Sequence, residues 1–185
     1  MRDLFPHAGF LRTGYHRGQV DEFFDKARAA YERPMLDDGG LSALDVRRAA
    51  FDLKRGGYKT AAVDAALDRL ETAFATRARE QFVRAHGQDA WMGQLAQRAQ
   101  VLYPRLRRPK GQRFRQPVKS RHGYDAREVD ALIDRMIAFF DTGADLTADE
   151  LRHVTFKRRG KRGAYDERTV DAFLARAVDV LMGVQ

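Results

Sequence analysis

The feature that most constrains this chain is a phrase that occurs four times. Aligned on tyrosine, RTGYHRGQVD (12–21), RGGYKTAAVD (55–64), RHGYDAREVD (121–130) and RGAYDERTVD (162–171) carry Arg three residues before the Tyr and Val-Asp at the fifth and sixth positions after it. The recurrent residues are Arg12, Gly14, Tyr15, Val20 and Asp21; Arg55, Gly57, Tyr58, Val63 and Asp64; Arg121, Gly123, Tyr124, Val129 and Asp130; Arg162, Ala164, Tyr165, Val170 and Asp171. A supersecondary phrase repeated in this way cannot bury its apolar face alone and packs against another copy.

The tyrosines are spaced by 43, 66 and 41 residues, close, far and close, which groups the copies in pairs. The stretches ahead of the second and fourth copies, LSALDVRRAAF (41–51) and LTADELRHVTF (146–156), also match each other. The first and third copies share a phenylalanine ten residues before the tyrosine, Phe5 and Phe114. The expected organisation is unit A at 1–84, a helical bridge with a basic linker at 85–111, and unit B at 112–185.

Within a copy, glycine before the tyrosine (Gly14, Gly57, Gly123) suits a turn with positive φ. A helix follows. Val20, Phe23, Phe24, Ala27 and Tyr31 keep helical spacing, as do Val129, Leu132, Ile133, Met136 and Phe140, and Val170, Phe173, Leu174, Ala177 and Leu181. The second copy's helix runs through Val63, Leu67, Leu70, Phe74 and Phe82 to a stop near Gly87. Asp125 with Glu128 forms a capping-box pattern and Asp166 is a cap, whereas His16 and Lys59 are read as non-caps. Short helices open at Ser42 and Thr147, and another spans about 89–103, ending before Pro104. The predicted fold is mainly α: a helical repeat protein with short extended or turn segments before its helices, two pseudo-duplicated units and no long coiled coil.

The recurrent Asp lies beyond the first helical turn, where the helix dipole gives little reason for it, so it calls for a partner. The expected staple pairs Arg12 with Asp21, Arg55 with Asp64, Arg121 with Asp130 and Arg162 with Asp171, within a copy or across paired copies.

Charge is uneven. The net +8 is matched by one acid-free run of Arg105, Arg107, Arg108, Lys110, Arg113, Arg115, Lys119 and Arg121. With Lys157, Arg158, Arg159 and Lys161 it is a candidate surface for an anionic partner, a membrane or a nucleic acid; a solvated linker is the plainer reading.

The phrase R-x-G-Y-x-x-x-x-V-D-x-F-[FL] resembles the N-terminal lipid-binding domain of DivIVA, the bacterial cell-pole and division-site protein. Four such phrases in one chain resemble the DivIVA-domain repeat proteins. The resemblance implies a non-enzymatic module, an extended turn feeding a helix, with two copies pairing as two subunits do in the family's dimer. It implies a scaffold role at membranes or with division partners. The family's lipid-inserting phenylalanine, three before the tyrosine, is replaced here by Arg12, Arg55, Arg121 and Arg162.

Enzyme signals are few. The chain has no cysteine, and its histidines (7, 16, 86, 122, 153) keep no metal-ligand spacing, so no cofactor or metal is expected. No phosphate-binding loop or nucleophile elbow occurs. No apolar run approaches the roughly 20 residues of a membrane-spanning helix, and the start of the chain has no leader pattern, so a cytoplasmic protein, peripheral at most to the inner membrane, is expected. Unidentified protein partners are the expected ligands, with anionic membrane next; nucleic acid, bound through 105–121 and 157–162, is the alternative.

Overall fold

The structure, a computed structural model, describes residues 3–9, 11–33, 40–118 and 122–184. Lys119 and Arg121, and with them the expected Arg121–Asp130 pair, lie outside the described residues. The chain is mainly α-helical and divides into two units, Met1–Gly87 and Gln88–Gln185. From Gln88 onward, the stretch read as a helical bridge and basic linker, 85–111, falls within unit 2.

Unit 1 runs β1 (Thr13–Tyr15), α1 (Arg17–Tyr31), α2 (Ala43–Arg47), β2 (Leu53–Arg55) and α3 (Thr60–His86). Unit 2 opens with α4 (Gln88–Gln100) and α5 (Tyr103–Leu106). It then runs β3 (His122–Asp125), α6 (Ala126–Thr142), α7 (Ala148–Arg152), β4 (Arg158–Gly160), β5 (Ala164–Tyr165) and α8 (Glu167–Val184). In both units a strand holding the first tyrosine is followed by a helix, a short helix, a strand and a long helix, with β5 as an additional strand before the last helix of unit 2.

The helix ends follow from their caps. Ser42 and Thr147 each close a capping box with the acid three residues on, Asp45 and Glu150. Asp166 accepts from the Thr169 amide at 3.1 Å. His16, expected not to cap, does so through Nδ1, which accepts from the Gln19 amide at 3.3 Å. The Asp125–Glu128 box does not form: Asp125 caps alone, and Glu128 accepts instead from the Lys157 amide at 2.8 Å. α3 stops at Gly87, whose φ of 86° leaves the helical region. Pro104 does not end a helix but sits in the first turn of α5, where its missing N–H has no intrahelical use.

β1 pairs antiparallel with β2 in the register Thr13↔Arg55, Gly14↔Lys54, Tyr15↔Leu53. In unit 2, β3 lies between β4 and β5. The core of unit 2 gathers Leu95, Leu102 and Leu106 with Phe114, Ile133, Met136, Leu151, Tyr165 and Leu181. Unit 1 is thinner, with clusters around Val20, Tyr58 and Val63 and around Ala27, Val46 and Phe74. The recurrent valines, Val20, Val63, Val129 and Val170, are all fully buried.

Candidate functional site: the paired motifs

The recurrent Asp does find a partner, but it is the tyrosine of the other copy. Tyr58 Oη donates to Asp21 Oδ1 at 2.9 Å, and Tyr165 Oη donates to Asp130 Oδ1 at 3.0 Å. On the reverse diagonal Asp64 faces Tyr15 and Asp171 faces Tyr124, and after burial each carboxylate raises the phenol it faces. Among the described residues, no ion pair joins Arg12 to Asp21, Arg55 to Asp64 or Arg162 to Asp171, so the arginine staple is not formed. Arg12, Arg55 and Arg162 are exposed and gain little by pairing, whereas a buried phenol must find an acceptor.

The two directions of exchange differ in depth. Tyr58 and Tyr165 are 1% exposed, and each also accepts a backbone N–H at 3.2 Å, from Leu4 and Arg113 respectively. These donors directly precede Phe5 and Phe114, whose rings meet the tyrosine rings edge-on at 5.5 and 5.3 Å. Tyr15 and Tyr124 are half-buried and lie against Phe51 and Phe156, at 5.5 and 5.1 Å. Both sets of phenylalanines were visible as sequence matches. The latches beside them were not: the Asp52 amide donates to Gln19 Oε1 and the Lys157 amide to Glu128 Oε2, each at 2.8 Å. Their only sequence signal is Gln or Glu four residues after the first and third tyrosines.

The glycines serve a purpose other than the one expected. None of Gly14, Gly57 and Gly123 has positive φ; Gly56 and Gly163 do. A Cβ on Gly14 would stand 2.1 Å from the Tyr58 carbonyl oxygen, and one on Gly123 would stand 2.2 Å from that of Tyr165. The requirement is close approach of two backbones. At the fourth copy, Ala164 fits and is buried.

Burial, then the bond from Tyr165 to Asp130, pushes the Tyr165 phenol up to about 12, against 10.0 ordinarily. Its proton is therefore held more tightly in the folded chain. The stabilisation is fully present below about pH 10 and is lost as pH rises from there through about 12. An alkaline titration followed by tyrosinate absorbance is expected to show one phenol ionising last, together with loss of unit 2 structure. Tyr165→Phe will remove that late step.

The basic residues are mostly paired within unit 2. Lys110 Nζ and Arg113 Nη2 each reach Asp134 at 2.7 Å. Burial raises the Asp134 carboxyl and the two cations more than offset it, leaving it below its ordinary value. Arg113, placed in a solvated run by sequence, is buried, and its Nη1 donates to the Asp130 carbonyl at 2.7 Å. Arg115 pairs with Asp166 at 3.3 Å, and Arg105 lies over the Phe114 ring at 5.1 Å. In the second cluster Lys157 pairs with Glu128, Arg158 with Glu167 and Arg159 with Asp125, at 3.3, 3.0 and 2.7 Å. Arg107, Arg108, Lys161 and Arg162 are exposed. The two clusters meet at one cleft of about 540 Å³, which Lys110, Arg127 and Arg159 share with Asp130 and Asp134.

Among the described residues, no three of His, Asp or Glu gather as a metal site, and no helix is long and apolar enough to cross a membrane. No protein-family model matches the chain, and neither a curated protein nor a solved structure matches it.

Proposed function

We propose that the chain is a non-enzymatic interaction module of the DivIVA type, which organises protein partners, is linked to bacterial cell division or polarity, and touches the inner membrane surface peripherally. The observation that carries this reading is the reciprocal Tyr–Asp exchange. It uses the recurrent residues of both copies to close one copy on the other, so the motif is scaffold and recognition falls to the surface around it.

The basic clusters favour nucleic acid less. Where they meet, Asp130 and Asp134 stand among the cations, and a duplex backbone would face carboxylates there as well. A membrane contact has a better-placed candidate in Leu11, 84% exposed in the turn before Arg12, with Lys54 and Arg55 on the neighbouring strand.

The test exposes the full chain to anionic vesicles and to random duplex DNA at low and high salt, alongside affinity capture of partners with mass spectrometry. Capture is expected with the native chain and not with the Asp21→Ala/Asp130→Ala variant. Binding to anionic vesicles is expected for the native chain and is expected to weaken in Leu11→Asp. Duplex binding with a steep salt dependence, and no reproducible partner, would overturn the reading in favour of the nucleic-acid alternative.

A further inference from the structure

Unit 1 carries an open groove of about 390 Å³ whose walls are Leu4, Phe5, Phe24, Tyr31 and Leu70, with Arg28 and Glu32 on its rim. Leu4 and Tyr31 are 41% and 38% exposed. Counting from the tyrosines, the positions in unit 2 that match Phe5, Phe24, Tyr31 and Leu70 are Phe114, Ile133, Phe140 and Ala177.

In unit 2 those positions are covered. Phe114, Ile133 and Ala177 are buried in one core with Leu95, Leu102 and Leu106, and Tyr103 and Phe140 pack against it. The roof is α4 and α5: Tyr103 meets Phe140 at 6.1 Å, and Arg105 lies over Phe114. α4 is held to α8 by Trp91 Nε1, which donates to the Gly183 carbonyl at 3.0 Å, and by Leu95 packed against Gly183. The same motif thus occurs once with α4 and α5 packed across it and once, among the described residues, with no helix of that kind.

We infer that the unit 1 groove is a docking site for an amphipathic helix of a partner protein, with leucine and aromatic anchors spaced as Leu102, Tyr103 and Leu106 are. This inference rests on the interaction-module reading and names its surface. Charge narrows the occupant further. Arg28 and Glu32 both line the groove, so the docking helix carries charges of both signs along its apolar anchors, as residues 88–106 do with Asp89, Arg98 and Arg105.

The probe is a labelled synthetic peptide of residues 88–106, the chain's own roof, titrated into the full-length protein and followed by fluorescence anisotropy. Saturable binding in the micromolar range is expected. Leu4→Asp and Tyr31→Asp, both at exposed positions and checked for folding by circular dichroism, are each expected to weaken it by about tenfold or more. Leu53→Asp, exposed on β2 and outside the groove, will leave it unchanged. Failure to saturate, or equal binding to the two groove variants, would overturn the inference. If partner capture also persists unchanged in Tyr31→Asp, the module reading stands and only the groove assignment falls.

Discussion

Replacing Asp130 with alanine is expected to destabilise unit 2 by about 3 kcal/mol, because it leaves buried donors without an acceptor. The Asp130 carboxylate accepts from Tyr165 Oη at 3.0 and 3.2 Å and from the Gly111 amide at 2.7 Å, with Arg113 Nε at 3.8 Å. Asp171→Ala, the outer member of the same exchange, removes an exposed carboxylate whose partner Tyr124 is half-buried and can turn to water. Its expected cost is below about 1 kcal/mol. In a unit of this size, about 3 kcal/mol lowers the unfolding midpoint by more than about 10 °C. Trp91, the one tryptophan of the chain, is bonded to Gly183 and so reports on unit 2 by fluorescence. The two variants should separate widely on that signal. Equal shifts would remove the distinction between inner and outer pairs.

That distinction shows where sequence reasoning reached and where it stopped. Periodicity revealed the long helices because Val20, Val129 and Val170 and their helical neighbours face cores, and short polar phrases such as Ser42–Asp45 are sufficient to start a helix. The recurrence of Tyr and Asp was equally plain. Their bond was not, because it joins residues 37 and 35 apart, and nothing in a linear spacing says which of two recurrent polar groups will be buried. Arginine looked like the natural partner for aspartate by charge. Burial decided otherwise: an exposed guanidinium is satisfied by water, and a phenol that is 1% exposed is not. The basic run misled for a related reason. Counting charge between 105 and 121 finds no acid, yet Asp134 and Asp166 reach into it from α6 and from the start of α8. His16 and Glu128 show the same limit on a smaller scale, since His16 took the Gln19 amide in its own first turn and Glu128 the Lys157 amide 29 residues on, partners that propensity does not rank.

Gly57→Ala is the variant on which sequence and geometry disagree most sharply. The fourth copy has alanine at this position, so the alignment alone would license the change. Geometry forbids it. A Cβ on Gly57 would stand 2.4 Å from the Tyr15 carbonyl oxygen and 2.6 Å from that of Gly14, and both neighbours are backbone atoms that no side-chain rotation can move. Relief requires the segments to part where the Tyr15 amide donates to the Tyr58 carbonyl and the Tyr58 amide to the Tyr15 carbonyl, each at 2.9 Å. The expected cost is about 2–3 kcal/mol, in the range of overpacked sites, and Gly14→Ala is expected to match it. Gly56→Ala is the control: its φ of 66° makes alanine unfavourable, but the space beside it is open, so about 1 kcal/mol is expected. Hydrogen exchange of the Tyr15 and Tyr58 amides, read by NMR, should accelerate strongly in Gly57→Ala and only modestly in Gly56→Ala. Because the core of unit 1 is thin, the same loss should also disturb the Tyr58–Asp21 bond and leave Tyr165–Asp130 untouched. Slow exchange retained in Gly57→Ala would mean that the two copies do not depend on backbone contact to pair.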